Sequence, residues 1–225
     1  MSRRHWDCIW RERRPEGLSW YQRKPERSIK LIEEHASRNE PIVDVGSGTS
    51  RVVDRLLDDG YRDITALDIS DAAIAITRGR LGDRAPEVQW LVDDVLTHPF
   101  ERRFVVWHDR AVFHFLTSPR DRRQYVRQLE RALMPGGHVV LATFGPQGPE
   151  ECSGLQVQRY GDADVRTTFG DDFSLIDYAE ELHTTPTGAE QQFAFSVLRR
   201  APKLTFSRRE RSVGRGGVEP PTDGL

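Results

Sequence analysis

Asp44, Gly46 and Gly48 in the run Ile42-Val43-Asp44-Val45-Gly46-Ser47-Gly48-Thr49-Ser50, together with Asp68, have the types and spacing of a nucleotide-type cofactor site. A buried strand ending in a glycine turn lets backbone approach a ligand closely, and a helix starts just beyond it. Asp68 ends the next apolar run, where an acid can accept hydrogen bonds from both ribose hydroxyls. Two further acids, Asp94 and Asp109, follow apolar runs at 88–92 and 104–107. His108, Asp109 and His114 are the polar groups of the segment 107–116 that could face a reacting acceptor. His114 is the expected catalytic base, because its intrinsic pKa lies near working pH. Its other reading is a hydrogen-bonded core histidine. Asp109 is the second expected catalytic residue, orienting the acceptor or a cofactor amino group, and would otherwise cap the following turn.

The elements that must hold these residues alternate. A helix is predicted over 25–37, with Ile29, Ile32 and Ala36 on one face, then the strand 42–45. Helix 50–59 stops at Gly60, strand 64–68 follows, and Ser70 can cap helix 71–81. Strands 88–92 and 104–107, helix 121–133, strand 138–144, and strands near 173–178 and 192–198 complete the series. This alternation predicts an open α/β sheet with helices on both faces. Such sheets bind ligands at the carboxyl ends of their strands, where Asp44, Gly46, Asp68, Asp94 and Asp109 fall.

A dinucleotide fingerprint would place its third glycine at 51, where Arg51 is too large for close helix–strand packing. That argues against a nicotinamide dinucleotide. The stretch resembles motif I of the class I S-adenosylmethionine (SAM) methyltransferases, Asp-x-Gly-x-Gly-x-Gly. Asp44, Gly46 and Gly48 match, and Ser50 replaces the last glycine. Asp94-Val95 is similar to the family's position after strand 3, where the acid accepts from the adenine amino group and the next amide meets the ring. Leu133-Met134-Pro135-Gly136-Gly137 is similar to the turn before strand 5. The resemblance covers residues 6–200 and implies a Rossmann-like sheet of seven strands, order 3-2-1-4-5-7-6, the last antiparallel. It implies SAM as cofactor, held by Asp44, Gly46, Gly48, Asp68, Asp94 and Val95. Trp6, Trp10, Trp20 and Tyr21 resemble the N-terminal segment of thiopurine S-methyltransferase-like proteins and of small protein-lysine methyltransferases. In both groups this segment lies over the cofactor, which implies contact for Trp10 and Trp20.

Three stretches differ in kind: an aromatic lid over 1–24, the domain over 25–200, and a tail over 201–225 rich in Arg, Gly and Pro. The tail has few apolar residues and is expected to be disordered and dispensable, with an RNA-binding Arg-Gly segment as its other reading. A chain of 225 residues can bury a proper single core. Its formal charge of −2 carries no bulk signal for nucleic acid or an anionic membrane. No apolar run approaches a membrane span, and no signal-peptide core opens the chain. Cys8 and Cys152 form no motif, which points to a reducing cytoplasm, and no metal site is expected. SAM is already a strong electrophile, so methyl transfer depends largely on positioning and desolvation. The leading expectation is a methyltransferase acting on a small molecule or a protein lysine. A non-catalytic SAM-binding regulator is the second class, and an NAD-dependent oxidoreductase the third.

Overall fold

The computed structural model describes residues 2–202. The tail expectation for 201–225 therefore falls almost wholly outside the described residues. An N-terminal helix α1 (Arg3–Glu12) precedes α2 (Glu26–Glu33), β1 (Ile42–Val45), α3 (Val52–Asp58), β2 (Ile64–Asp68), α4 (Asp71–Leu81) and β3 (Val88–Val92). Then follow β4 (Phe104–Arg110), α5 (Pro119–Ala132), β5 (Leu133–Phe144), a short hairpin (Glu151–Cys152 with Leu155–Gln156), α6 (Asp162–Phe169), β6 (Phe173–Thr184) and β7 (Glu190–Arg200). The seven long strands form one sheet in the order β3-β2-β1-β4-β5-β7-β6. The first five are parallel, and β7 is antiparallel to both β5 and β6.

The strands run nearly continuously apolar because both faces are covered. Ile29, Ile32, Val52 and Leu56 of α2 and α3 pack with Val106, Val140 and Val197 on one face. Tyr125, Leu129, Val165 and Phe169 of α5 and α6 pack with Val45, Trp107 and Leu141 on the other. Alternation along β4 decides the site. Trp107 and Asp109 turn toward α5, while His108 and Arg110 turn toward the α2 face and the N-terminal segment.

Two segments differ from the expected boundaries. The predicted turn at 134–137 lies inside β5, as an irregularity opposite Phe104 and Val106. A Cβ at Gly137 would sit 2.9 Å from the Val105 carbonyl oxygen, so close backbone approach keeps glycine there. β4 runs to Arg110, because Val45 pairs with Asp109 on one side and Leu141 with Asp109 on the other. Asp109 is therefore a strand residue, not the first residue past a strand end.

Candidate functional site

The carboxyl ends of β1, β2, β3 and β4 open into one cleft enclosing about 1170 Å³, solvent at its mouth included. It lies where the strand order reverses between β1 and β4, the position where open α/β sheets bind ligands.

The Gly46–Gly48 turn forms its floor. Both glycines are in the left-handed region (φ 63° and 50°), which an L-residue adopts only with strain. A Cβ at Gly46 would meet Val112 Cγ2 at 1.9 Å, so protein packing already demands glycine there. Gly48 N–H donates to Asp68 Oδ2 at 2.8 Å, and Ser70 N–H donates to Asp68 Oδ1 at 2.8 Å. Asp68 thus braces the turn and still lines the cleft. Burial pushes its carboxyl up to about 6, against the pull of those two N–H groups. The turn is also held from α4. Thr77 Oγ1 donates to the Gly48 carbonyl at 2.9 Å. Arg80 donates to the Thr49 and Ser50 carbonyls and to Asp54. Neither Thr77 nor Arg80 was identifiable from spacing, since each lies within α4 without a motif. Arg51 precedes α3 and reaches Asp54 at 3.1 Å, leaving no small-residue contact of the kind a third glycine provides.

Asp44 is buried at the end of β1. Its Oδ1 lies 2.6 Å from His108 Nδ1, while His108 Nε2 lies 3.0 Å from Ser28 Oγ. Asp44 Oδ2 is buried with no partner among the described residues, on a residue that lines the cleft. Beyond β3, Asp93 is engaged by His98 Nδ1 at 2.9 Å and by the Asp94 N–H at 2.8 Å. Asp94 gives Oδ1 to the Leu96 N–H at 2.9 Å and, with buried Val95, lines the cleft.

The N-terminal segment roofs the cleft. Trp10 lies on the glycine turn, its Cζ2 3.0 Å from where a Gly48 Cβ would be. Trp20 meets Trp10 and Trp6 edge-to-face at 6.2 and 6.3 Å, and Trp6 meets Phe115 at 5.1 Å. Four polar ties hold this segment down. Asp7 accepts from Ser70 Oγ at 2.5 Å, Arg3 donates to the Val92 carbonyl, Arg110 donates to the Trp20 carbonyl, and His183 meets the Ser19 carbonyl at 2.8 Å.

The two expected catalytic residues are not among the cleft-lining side chains. Asp109 is fully buried. It accepts from the Val112 and Phe113 N–H groups and from Tyr125 Oη, bracing the turn in which Ala111 takes φ 72°. Burial raises its pKa to about 6. His114 is also fully buried, between Phe115 and Phe144. Its Nδ1 accepts from the Phe144 N–H at 3.3 Å, so that nitrogen is the unprotonated one. Burial, with nearby Arg110 adding to it, lowers its pKa to about 3. Both expected catalytic residues are thus core groups: strand parity turns Asp109 toward α5, and His114, in the short turn Phe113–Phe115 beyond β4, is enclosed by Phe115 and Phe144. His108, Arg110 and Cys152 line the cleft instead.

A seven-stranded sheet of this order, with its cleft at the β1/β4 reversal, is the class I methyltransferase type of Rossmann-like fold. Residues 42–137 match the family model of the methyltransferase domain. The eEF1A lysine and N-terminal methyltransferase of Mus musculus is 26% identical over 137 residues, 60% of this chain and 19% of that protein. The malonyl-[acyl-carrier protein] O-methyltransferase of Paenibacillus sp. is 34% identical over 126 residues, 52% of this chain and 45% of that one. The chain thus spans about a fifth of the length of the first relative and under half of the second. Among solved structures, the SAM-dependent methyltransferase from Anabaena variabilis superposes with a TM-score of 0.68 at 15% identity, covering 88% of this chain and 93% of its own. A structure from work on the conversion of a disulfide bond into a thioacetal group during echinomycin biosynthesis reaches 0.71 at 20% identity, covering 88% and 91%. These last two likenesses are of fold.

Proposed function

We propose that this chain transfers the methyl group of SAM to an acceptor, a small molecule or a protein lysine, held under the N-terminal aromatic segment. The observation that carries the reading is the convergence of the Gly46–Gly48 turn, Asp68 and Asp94-Val95 on one cleft, with Asp44 Oδ2 left unpaired beside them. The donor set fits the cofactor. Asp68 would receive ribose hydroxyls, Asp94 the adenine amino group, and Asp44 Oδ2 the ammonium of the methionyl end, while Val95 would meet the ring. When bound, SAM supplies a sulfonium-activated methyl that needs no further activation. The residues of the chain supply alignment and exclusion of water. Trp10 and Trp20 close the site from above, so 1–24 acts as a lid on a domain spanning 25–200. His114 and Asp109 support the turn that shapes the acceptor side and do not touch the acceptor. The setting is cytoplasmic, with no nucleic-acid partner.

Two measurements test the reading. In calorimetry, SAM and its demethylated product bind at micromolar affinity and NAD far more weakly; tighter NAD binding overturns the assignment. Tritiated SAM incubated with cell extract, separated into small-molecule and protein fractions, labels one of them. Tight binding with no label in either fraction would favour the non-catalytic regulator.

A further inference from the structure

We infer that Arg110 is the anion-recognising residue of the acceptor half of the cleft, and that the methyl acceptor carries a carboxylate or a comparable anionic group. The inference rests on the methyltransferase reading and deepens it.

Arg110 ends β4 and lines the cleft. Its Nη1 donates to the Trp20 carbonyl at 2.9 Å, and its guanidinium lies 5.0 Å over the Phe193 ring. Its Nε and Nη2 are shielded from solvent and have no partner among the described residues. No carboxylate among those residues bonds to it. Glu181 on β6 and Asp44 on β1 attract it only from a distance, and Cys152 of the hairpin, His114 and His183 are its other titratable neighbours. A guanidinium is always charged and offers a rigid fork of donors that fits a carboxylate. Leaving two of those donors desolvated and unpaired is costly, and an anionic ligand would offset that cost.

Sheet order assigns the ligand to the acceptor rather than to the cofactor. The residues expected to hold adenine and ribose lie just beyond β3 and at the end of β2, and the Asp44 oxygen lies on β1. Arg110 is on the far side of that series. It pairs with Ala142 of β5 and leans over Phe193 of β7. A ligand reaching it lies beyond the methyl donor, under Trp20 and beside Phe115, in an aromatic setting suited to a planar acid. An ammonium in the same place would face a fixed like charge, which disfavours a free lysine as acceptor.

The experiment uses the full chain with S-adenosylhomocysteine bound, and benzoate against its neutral isostere benzamide as probes. Benzoate is expected to bind at least tenfold more tightly than benzamide, and to shift the Arg110 Nε–H resonance, assigned by its loss in Arg110→Lys. Arg110→Gln is expected to erase the preference while keeping S-adenosylhomocysteine affinity within threefold. If Arg110→Gln does not fold, the resonance shift and the probe preference in the parent decide the matter. Equal binding of the two probes to the complex overturns the inference and leaves the cofactor reading intact. A loss of more than tenfold in S-adenosylhomocysteine affinity, with the probe preference kept, overturns it by giving Arg110 to the cofactor carboxylate. A parent protein that binds no S-adenosylhomocysteine overturns both.

Discussion

Asp44 and His108 form a buried pair, Oδ1 to Nδ1 at 2.6 Å, that leaves the second Asp44 oxygen without a partner among the described residues, on a cleft-lining residue. Parallel pairing of β1 with β4 sets the two residues side by side in register. Ser28 of α2 holds the other side of the imidazole. The carboxylate is therefore oriented before any ligand arrives, and an oriented buried acceptor is what a methionyl ammonium requires. Asp44→Asn is expected to weaken S-adenosylhomocysteine binding by about 1.5–3 kcal/mol, the scale of a hydrogen bond involving a charged group. Calorimetry decides it. Unchanged affinity in a folded variant would make Asp44 a purely structural partner of His108.

Asp68 braces the turn and is proposed to receive the ribose, so its loss should register twice. Asp68→Ala frees the Gly48 and Ser70 N–H groups inside the protein. A drop in SAM affinity of about 1.5–3 kcal/mol is expected, with a stability loss of similar size. Denaturant unfolding and calorimetry on the same sample separate the two. If affinity alone falls and the unfolding midpoint stays, the bracing role is not real. A Gly46→Val chain is expected to fail for a packing reason, because its side chain collides with Val112 before it reaches any cofactor.

Tyr125 ties the Asp109 carboxylate to the Trp107 indole: Tyr125 Oη donates to Asp109 and accepts from Trp107 Nε1 at 2.8 Å. Burial raises the Asp109 pKa to about 6, while this hydroxyl holds it down. Removing the hydroxyl in Tyr125→Phe penalises the charged carboxylate more than the neutral acid. The variant should therefore lose more stability at pH 8, where Asp109 is ionised, than at pH 5, where it is mostly protonated. A destabilisation of about 1–3 kcal/mol is expected at the higher pH. Equal losses at both pH values would show that Asp109 does not titrate there.

The alternation of strands and helices, and the residues at the strand ends that line the cleft, were legible in the sequence, because glycine geometry and strand-ending acids are local signals, whereas the strand order came with the family resemblance. The strands 42–45, 64–68 and 88–92 and the helix 71–81 stand where spacing put them. What failed to show was side-chain direction. His108, Asp109 and Arg110 are consecutive, and a one-residue shift in the register of β4 would exchange which of them reach the cleft. Reading 104–107 as the whole strand left the alternation unused beyond Trp107. The bracing by Thr77 and Arg80 depends on α4 lying over the glycine turn, a tertiary fact that no local pattern encodes.

His114 stays neutral in the fold, with burial as the main cause and a pKa lowered to about 3, whereas the unfolded chain protonates near its ordinary value of 6.5. The unfolded state therefore binds the extra proton between these values, and stability is lost as pH falls from about 6.5 toward 3. His114→Asn keeps an acceptor for the Phe144 N–H and removes the titration. The variant is expected to be less stable than the parent at pH 7, with the gap narrowing by about 2 kcal/mol at pH 5. Urea unfolding at the two pH values measures it, and a constant gap would show that His114 does not remain neutral. Turnover on the true acceptor should change little in a variant that folds.

The N-terminal segment should behave as a lid whose order depends on the cofactor. Trp10 already lies over Gly48, and Trp6 and Trp20 extend that cover toward Phe115. Its polar ties fall at its two ends, through Arg3 and Asp7 to the β2/β3 side and through Ser19 and Trp20 to β6 and β4. Between them the chain crosses the mouth of the cleft, so it must shift to admit ligand and can close again over it. Deleting residues 1–24 is expected to cost SAM affinity and most activity, because the cofactor then stands in water. Saturating SAM should protect the basic stretch Arg11 to Arg14, which carries Arg11, Arg13 and Arg14, from trypsin. Cleavage there at the same rate with and without SAM, in a protein that calorimetry shows to be saturated, would mean that this segment is a fixed wall rather than a lid.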